Sequence, residues 1–150
     1  NPPFVPTPPS EDAAGGRYGL FSSGGPDGER ILRTVVEVAP ALLTHEGGLL
    51  AVVSEFVNPE EGLCQKTEEW WDLGVHASAP GDAATSIGKG VLFTNEKALD
   101  SREYASRRSG GGAAETAMWE RHLDAEGVRK VSPGLLYMMA GEGNGQGEHI

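Results

Sequence analysis

Apolar residues recur at helical spacing across residues 27–44, where Ile31, Leu32, Val35, Val36, Ala39, Leu42 and Leu43 form one stripe. A period near 3.6 predicts an amphipathic helix. Asp27 is the expected N-cap, with Glu29 and Arg30 opening the polar face. Pro40 falls late and should kink or tighten the last turn. Gly47-Gly48 stops the helix, and His45 reads as a capping residue at its C-terminus, where positive charge is favourable. Residues 49–57, Leu-Leu-Ala-Val-Val-Ser-Glu-Phe-Val, are nearly continuous in apolar character. Such a run predicts a strand buried on both faces. Helix, glycine turn and buried strand make half of a βαβ unit.

The pattern is weaker elsewhere. Residues 60–71 predict a short helix anchored by Trp70-Trp71, with Glu60-Glu61 and Glu68-Glu69 as solvated faces. Residues 74–90 read as loop, and residues 91–94 as a short edge strand. A helix over 101–109 would turn Tyr104 inward and Arg102, Arg107 and Arg108 outward. A clearer helix spans 113–126, with Met118, Trp119, His122 and Leu123 on one face and Gly127 as its cap. Residues 128–132 and 134–139 read as two adjacent strands turning at Pro133-Gly134. Met138-Met139 reads as core. Residues 141–150, Gly-rich and polar, are expected to be a disordered tail.

Composition narrows the partners. The 150 residues suit one domain. A hydrophobic content of 38% with 22 Gly and 10 Pro makes much of the chain loop. The net charge is −10, from 22 acidic against 12 basic side chains. Nucleic-acid binders carry basic footprints, so a protein or small-molecule partner is favoured over nucleic acid. The single cysteine, Cys64, excludes an internal disulfide, suits a reducing compartment and reads as buried or chemically neutral. No run approaches the ~18 apolar residues of a membrane span. His122 lacks a spaced His, Cys or carboxylate partner, so no metal site is expected.

The candidate chemistry lies at Asn1-Pro2-Pro3-Phe4. Each proline fixes its own φ near −65° and pushes the residue before it toward extended geometry. The carboxamide of Asn1 and the carbonyl of Pro2 are thereby held in a nearly fixed relation, and both can accept from one planar NH2 group. Phe4 offers a face for stacking. Composition alone also allows a solvated proline-rich tail over residues 1–9. The loop that follows, residues 5–26, carries Tyr18, Leu20 and Phe21, too apolar for a free linker, so its second half should pack down. Gly24-Gly25-Pro26-Asp27-Gly28 reads as a plain turn and helix entry, with anion cradling as the second reading.

Asn1-Pro2-Pro3-Phe4 resembles the Asn-Pro-Pro-aromatic motif of class I S-adenosylmethionine-dependent methyltransferases that act on planar nitrogens, the adenine-N6 and glutamine-N5 groups among them. Gly25-Pro26-Asp27-Gly28 is similar to a segment that follows this loop in the glutamine-type enzymes. The order of loop, helix, two glycines and hydrophobic strand also matches. Leu43-Thr44-His45-Glu46-Gly47-Gly48 departs from that family's usual Leu-Lys-Pro-Gly-Gly.

The resemblance implies an α/β fold: the C-terminal half of a Rossmann-like class I methyltransferase sheet with flanking helices. It covers residues 1–140, with 58–112 an elaboration between strand and helix. It implies catalytic roles for Asn1 and Pro2, which would orient the acceptor NH2. Pro3, Phe4, Tyr18 and Phe21 would bind the substrate.

S-adenosylmethionine is the implied cofactor. The Gly-rich turn and acidic residue that carry most of its binding are not found in this sequence and are expected upstream of Asn1. A half sheet would leave an open edge, which invites pairing with more chain or with partner subunits. Two functions follow as expectations. One is an N-methyltransferase acting on an amide or amino nitrogen of a protein. The other is an inactive methyltransferase-like accessory subunit of a larger complex. The expected compartment is the cytoplasm or an organelle matrix, such as the plastid stroma.

Overall fold

The computed structural model describes residues 1–12, 19–78, 85–93 and 97–141. Its elements run β1 (Val5–Pro6), α1 (Pro9–Asp12), α2 (Gly19–Ser22), β2 (Ser23–Gly25), α3 (Arg30–Leu42), β3 (Leu49–Val57), α4 (Leu63–Ala77), β4 (Thr85–Phe93), β5 (Leu99–Asp100), α5 (Ser101–Arg108), α6 (Ala113–Ala125) and β6 (Lys130–Gly141). The fold is mixed α/β, with helices flanking the sheets.

The main sheet is ordered β3-β6-β4, with β5 pairing the start of β6. Every ladder in it is antiparallel. A short parallel pair, β1 with β2, stands apart. The predicted pair of strands over 128–139 is one twelve-residue strand. Pro133 does not break it: Pro133 faces Glu55 of β3, and the ladder runs on through both. Pro133 lies between the ends of the β4 and β5 ladders, at Gly134 and Val131, where among the described residues β6 has no partner on that side, a position that proline tolerates.

Two helix ends differ from expectation. Helix α3 begins at Arg30, with Glu29 at the cap position and no side-chain cap; Asp27 instead accepts from the Glu29 amide at 2.9 Å. Helix α3 ends at Leu42, so His45 lies exposed in the following turn and caps nothing. Helix α4 runs to Ala77, well past the predicted end at Trp71, and β4 occupies residues expected to be loop. Cys64 is exposed on α4 rather than buried.

The core has two parts. Leu32, Val36 and Ala39 of α3 and Trp70 and Trp71 of α4 close over Val52 and Phe56 of β3 and Leu136 and Met138 of β6. Strand alternation places those sheet residues on one face. Among the described residues the opposite face is covered only at its far end, where Tyr104, Ala105, Trp119 and Leu123 pack on Val57 and Val131. Strand β3 is therefore not buried on both faces. Leu49 and Val53 are more than half exposed, and Met139 is exposed beside them. Among the described residues β3 pairs only with β6, so its other edge is open. No described helix is long and apolar enough to cross a membrane.

Candidate functional site

The amino-terminal residues are held from both sides. The Phe4 amide donates to the Ser22 carbonyl at 3.2 Å, and the Thr7 amide to the Gly25 carbonyl at 3.0 Å. Between them Gly24 leaves no room for a side chain: a Cβ there would lie 2.4 Å from the Gly28 oxygen and 2.8 Å from Phe4 Cα. A Cβ on Gly28, whose φ is +78, would lie 2.7 Å from the Phe4 carbonyl oxygen and 3.1 Å from the Pro6 ring. The glycine turn is filled by the chain's own backbone, which leaves no room there to cradle an anion. His122 of α6 ties the turn from outside, its Nε2–H donating to the Pro26 carbonyl at 2.9 Å. Residues 1–9 are thus no solvated tail; Val5 and Thr7 are buried.

Asn1, Pro2, Pro3, Phe4 and Val5 line a cavity of about 210 Å³ with Phe21, Ser22 and Arg108. Five of the residues predicted for the site, Asn1, Pro2, Pro3, Phe4 and Phe21, therefore meet at one place. Tyr18 lies outside the described residues. Phe21 does not pack down as expected. It is 90% exposed, leaving its ring available at the rim.

Arg108 is the residue that sequence reasoning placed wrongly. It was predicted to face outward, yet it is half-buried at the cavity and its guanidinium donates to Glu55 Oε2 at 2.7 Å. The Tyr104 hydroxyl donates to the same oxygen at 2.9 Å, and the Arg108 guanidinium stands 4.9 Å from the Tyr104 ring centre. The three side chains tie α5 to β3. Burial opposes the Arg108 charge, but Tyr104 and Glu55 outweigh it and hold its pKa above the ordinary guanidinium value. The only sequence signal was the lone Glu55 inside an apolar strand. A charge there requires a partner when the strand is covered.

Burial, followed by the nearby Glu55 charge, pushes the Tyr104 phenol well above its ordinary pKa. A raised folded-state pKa stabilises the fold fully below the unfolded value and ceases to do so as pH rises through the folded value. The unfolded phenol releases its proton near pH ~10. Wild-type stability should therefore fall faster above that pH than that of Tyr104→Phe. Urea titrations of both proteins from pH 8 to 11 would show the gap between them closing, and parallel curves would refute the coupling.

A larger cavity of about 320 Å³ lies beside Asn58, Glu60, Glu61, Asp100 and Arg129. Its charges answer one another: Arg129 binds Glu61 and Lys130 binds Glu60. Asn58 is a structural clamp, accepting from the Arg129 and Lys130 amides at 2.8 and 3.0 Å and donating to Gly127 at 2.8 Å. This cavity is larger, but nothing in it is arranged around a reacting group. Among the described residues no three His, Cys, Asp or Glu side chains gather as metal ligands.

No protein-family model, no curated protein and no solved structure matches this chain.

Proposed function

We propose that this chain is the acceptor-binding half of an S-adenosylmethionine-dependent N-methyltransferase acting on a planar amide or amino nitrogen of a protein. The observation that carries the reading is the cavity walled by Asn1, Pro2, Pro3, Phe4 and Phe21. In the proposed mechanism the Asn1 carboxamide oxygen and the Pro2 carbonyl accept from the acceptor NH2. Phe4 and Phe21 flank its plane. Two acceptors on one NH2 direct the nitrogen lone pair out of that plane, so the contribution is alignment of the reacting nitrogen. The element order after the loop, through α3, the Gly47-Gly48 turn and β3, supports the same reading.

The described residues do not fit the cofactor. Their glycine turn is occupied by Phe4 and Pro6 backbone, leaving no cradle for the adenosyl group. An electrophilic methyl would have to be presented by residues other than the described ones.

The open β3 edge and the exposed Leu49, Val53 and Met139 favour a second reading, an inactive methyltransferase-like subunit that completes its sheet against a partner. Asn1→Ala in the full-length protein separates the two. On the enzyme reading, transfer of radiolabelled methyl to protein acceptors is lost, while calorimetric binding of S-adenosylmethionine persists. Unchanged turnover would remove Asn1 from the mechanism. No cofactor binding by the intact wild-type protein would support the subunit.

A further inference from the structure

The exposed apolar side chains Val38, Leu42, Leu49, Val53 and Met139 gather around the first half of β3. Leu49 faces Met139 across the ladder to β6, and Val53 lies on the same sheet face. Val38 and Leu42 come from the other layer. Gly74 of α4 meets the Glu37 backbone and Lys66 of α4 binds Glu29, so that flank of α3 faces α4. At ~100° per residue, Ile31, Val35, Val38 and Leu42 form a stripe on the opposite flank. Helix α4 packs toward β4, which lies beyond β6 from β3. The free flank of α3 therefore overhangs the open β3 edge. That edge also has free backbone groups. The Ala140 amide donates to the Gly48 carbonyl at 2.7 Å and the Asn58 amide to the Lys130 carbonyl at 2.8 Å, with no register shift between them. Even-numbered residues of β3 thus turn their backbone groups to β6, and Leu49, Ala51 and Val53 turn theirs to the edge. Edge strands are normally guarded by charge, proline or a bulge. Residues 49–53 carry none of these, and Glu55 is held by Arg108.

We infer that this edge is the interface with a second copy of the chain, the two β3 strands pairing antiparallel about a two-fold axis at Ala51. This rests on the subunit reading proposed above and names the partner. An occupant has to bring a strand edge and, one layer away, an apolar surface for Val38 and Leu42. The chain itself carries both at the required spacing, and one two-fold rotation sets edge on edge and helix flank on helix flank. Leu49 of one copy then stands opposite Val53 of the other, with exposed Ala51 small enough for close approach at the axis. The five side chains leave on the order of 500 Å² of apolar surface per copy, at the upper end of patches found on monomers. Sealing two such patches buries about 1,000 Å² in all, the least that a specific interface needs.

The test is sedimentation of the full-length protein across micromolar concentrations, at low and high salt. Wild type should reach twice the protomer mass, and added salt should tighten the dimer by screening the −10 net charge of each copy. Leu42→Glu sets two carboxylates near the axis. Ala51→Pro places a ring on the edge side of β3, where β6 makes no hydrogen bond. Each should weaken association by about tenfold or more, as like charge or a blocked strand edge at an interface does. Leu73→Glu, at another exposed apolar site on α4, should leave the dimer unchanged. Circular-dichroism melts show whether each variant folds. A wild type that stays monomeric throughout overturns the inference. So does a dimer that both folded variants retain, because association then uses another surface. Calorimetric binding of S-adenosylmethionine by an intact monomer would remove the subunit reading as well; a monomer that binds none would remove the inference alone.

Discussion

Alanine at position 74 is expected to destabilise the protein by about 2–3 kcal/mol, although alanine is the better helix former. Two effects oppose each other. Replacing a mid-helix glycine gains about 1 kcal/mol in backbone entropy and propensity. Against that, a Cβ on Gly74 would lie 1.9 Å from the Glu37 carbonyl oxygen and 2.8 Å from its carbon. Those are backbone atoms of α3, which no rotamer change can move aside. Helices α3 and α4 would have to separate, and overpacking of this kind costs about 1–3 kcal/mol and at times more. The separation would loosen the contacts of Trp71 and Val36 as well, so steric cost wins. Urea denaturation gives the answer directly: a midpoint at or above the wild-type value would show that the two helices cross farther apart.

Trp71→Ala should cost more, about 3–5 kcal/mol, the range for truncating a fully buried large aromatic. Trp71 has no exposed surface and sits where α3, α4 and the covered sheet face meet. Its removal leaves a hole that backbone on three sides cannot close. Domains are stable by only about 5–15 kcal/mol in total, so this one substitution consumes much of the margin. Trp70 is the control. It is 8% exposed and its ring faces Lys66, with the ammonium 5.7 Å from the ring centre, so solvent and that side chain can refill part of the space. Near-UV circular dichroism with denaturant titration should place Trp71→Ala well below Trp70→Ala. Equal losses would mean that the core is not organised around Trp71.

The periodic stretches were legible in the sequence. The stripe Leu32, Val36, Ala39 predicted the buried face of α3, and the apolar run over 49–57 predicted β3 residue for residue. Tyr104, expected to turn inward, is buried, and Trp70-Trp71, expected as packing anchors, lie in the core rather than in a surface patch. What the sequence hid has physical causes. An apolar run does not say whether both faces are covered, because exposing Leu49 and Val53 leaves no mark in their own chemistry. Pro133-Gly134 has the composition of a turn, and only the ladder to Glu55 and Ser54 reveals a strand. Leu42 belonged to the predicted stripe but is 78% exposed, since α3 ends there and the chain turns away.

At the site, Asn1 through Phe4 are consecutive, so their lining of one cavity could be read from local sequence. The approach of Arg108 was not. It depends on a pairing with Glu55, 53 residues away, and such long-range partners are invisible to local pattern. Helical spacing in α5 offered no apolar stripe that would have turned Arg108 inward.

The place of β6 in the sheet fixes the order in which the protein can be made. Among the described residues, strands β3 and β4 are not paired with each other; each is hydrogen-bonded to β6, which runs from residue 130 to 141. A nascent chain therefore carries β3 past the ribosome exit while its template is still unsynthesised. Helices α3 and α4 can pair early, being close in sequence, but the strand beneath them has no ladder until the last segment arrives. The wait is paid as long-range closure, which slows folding and leaves β3 unpaired throughout synthesis. Among the described residues, a chain stopped before Lys130 would lack the one strand to which β3, β4 and β5 all pair.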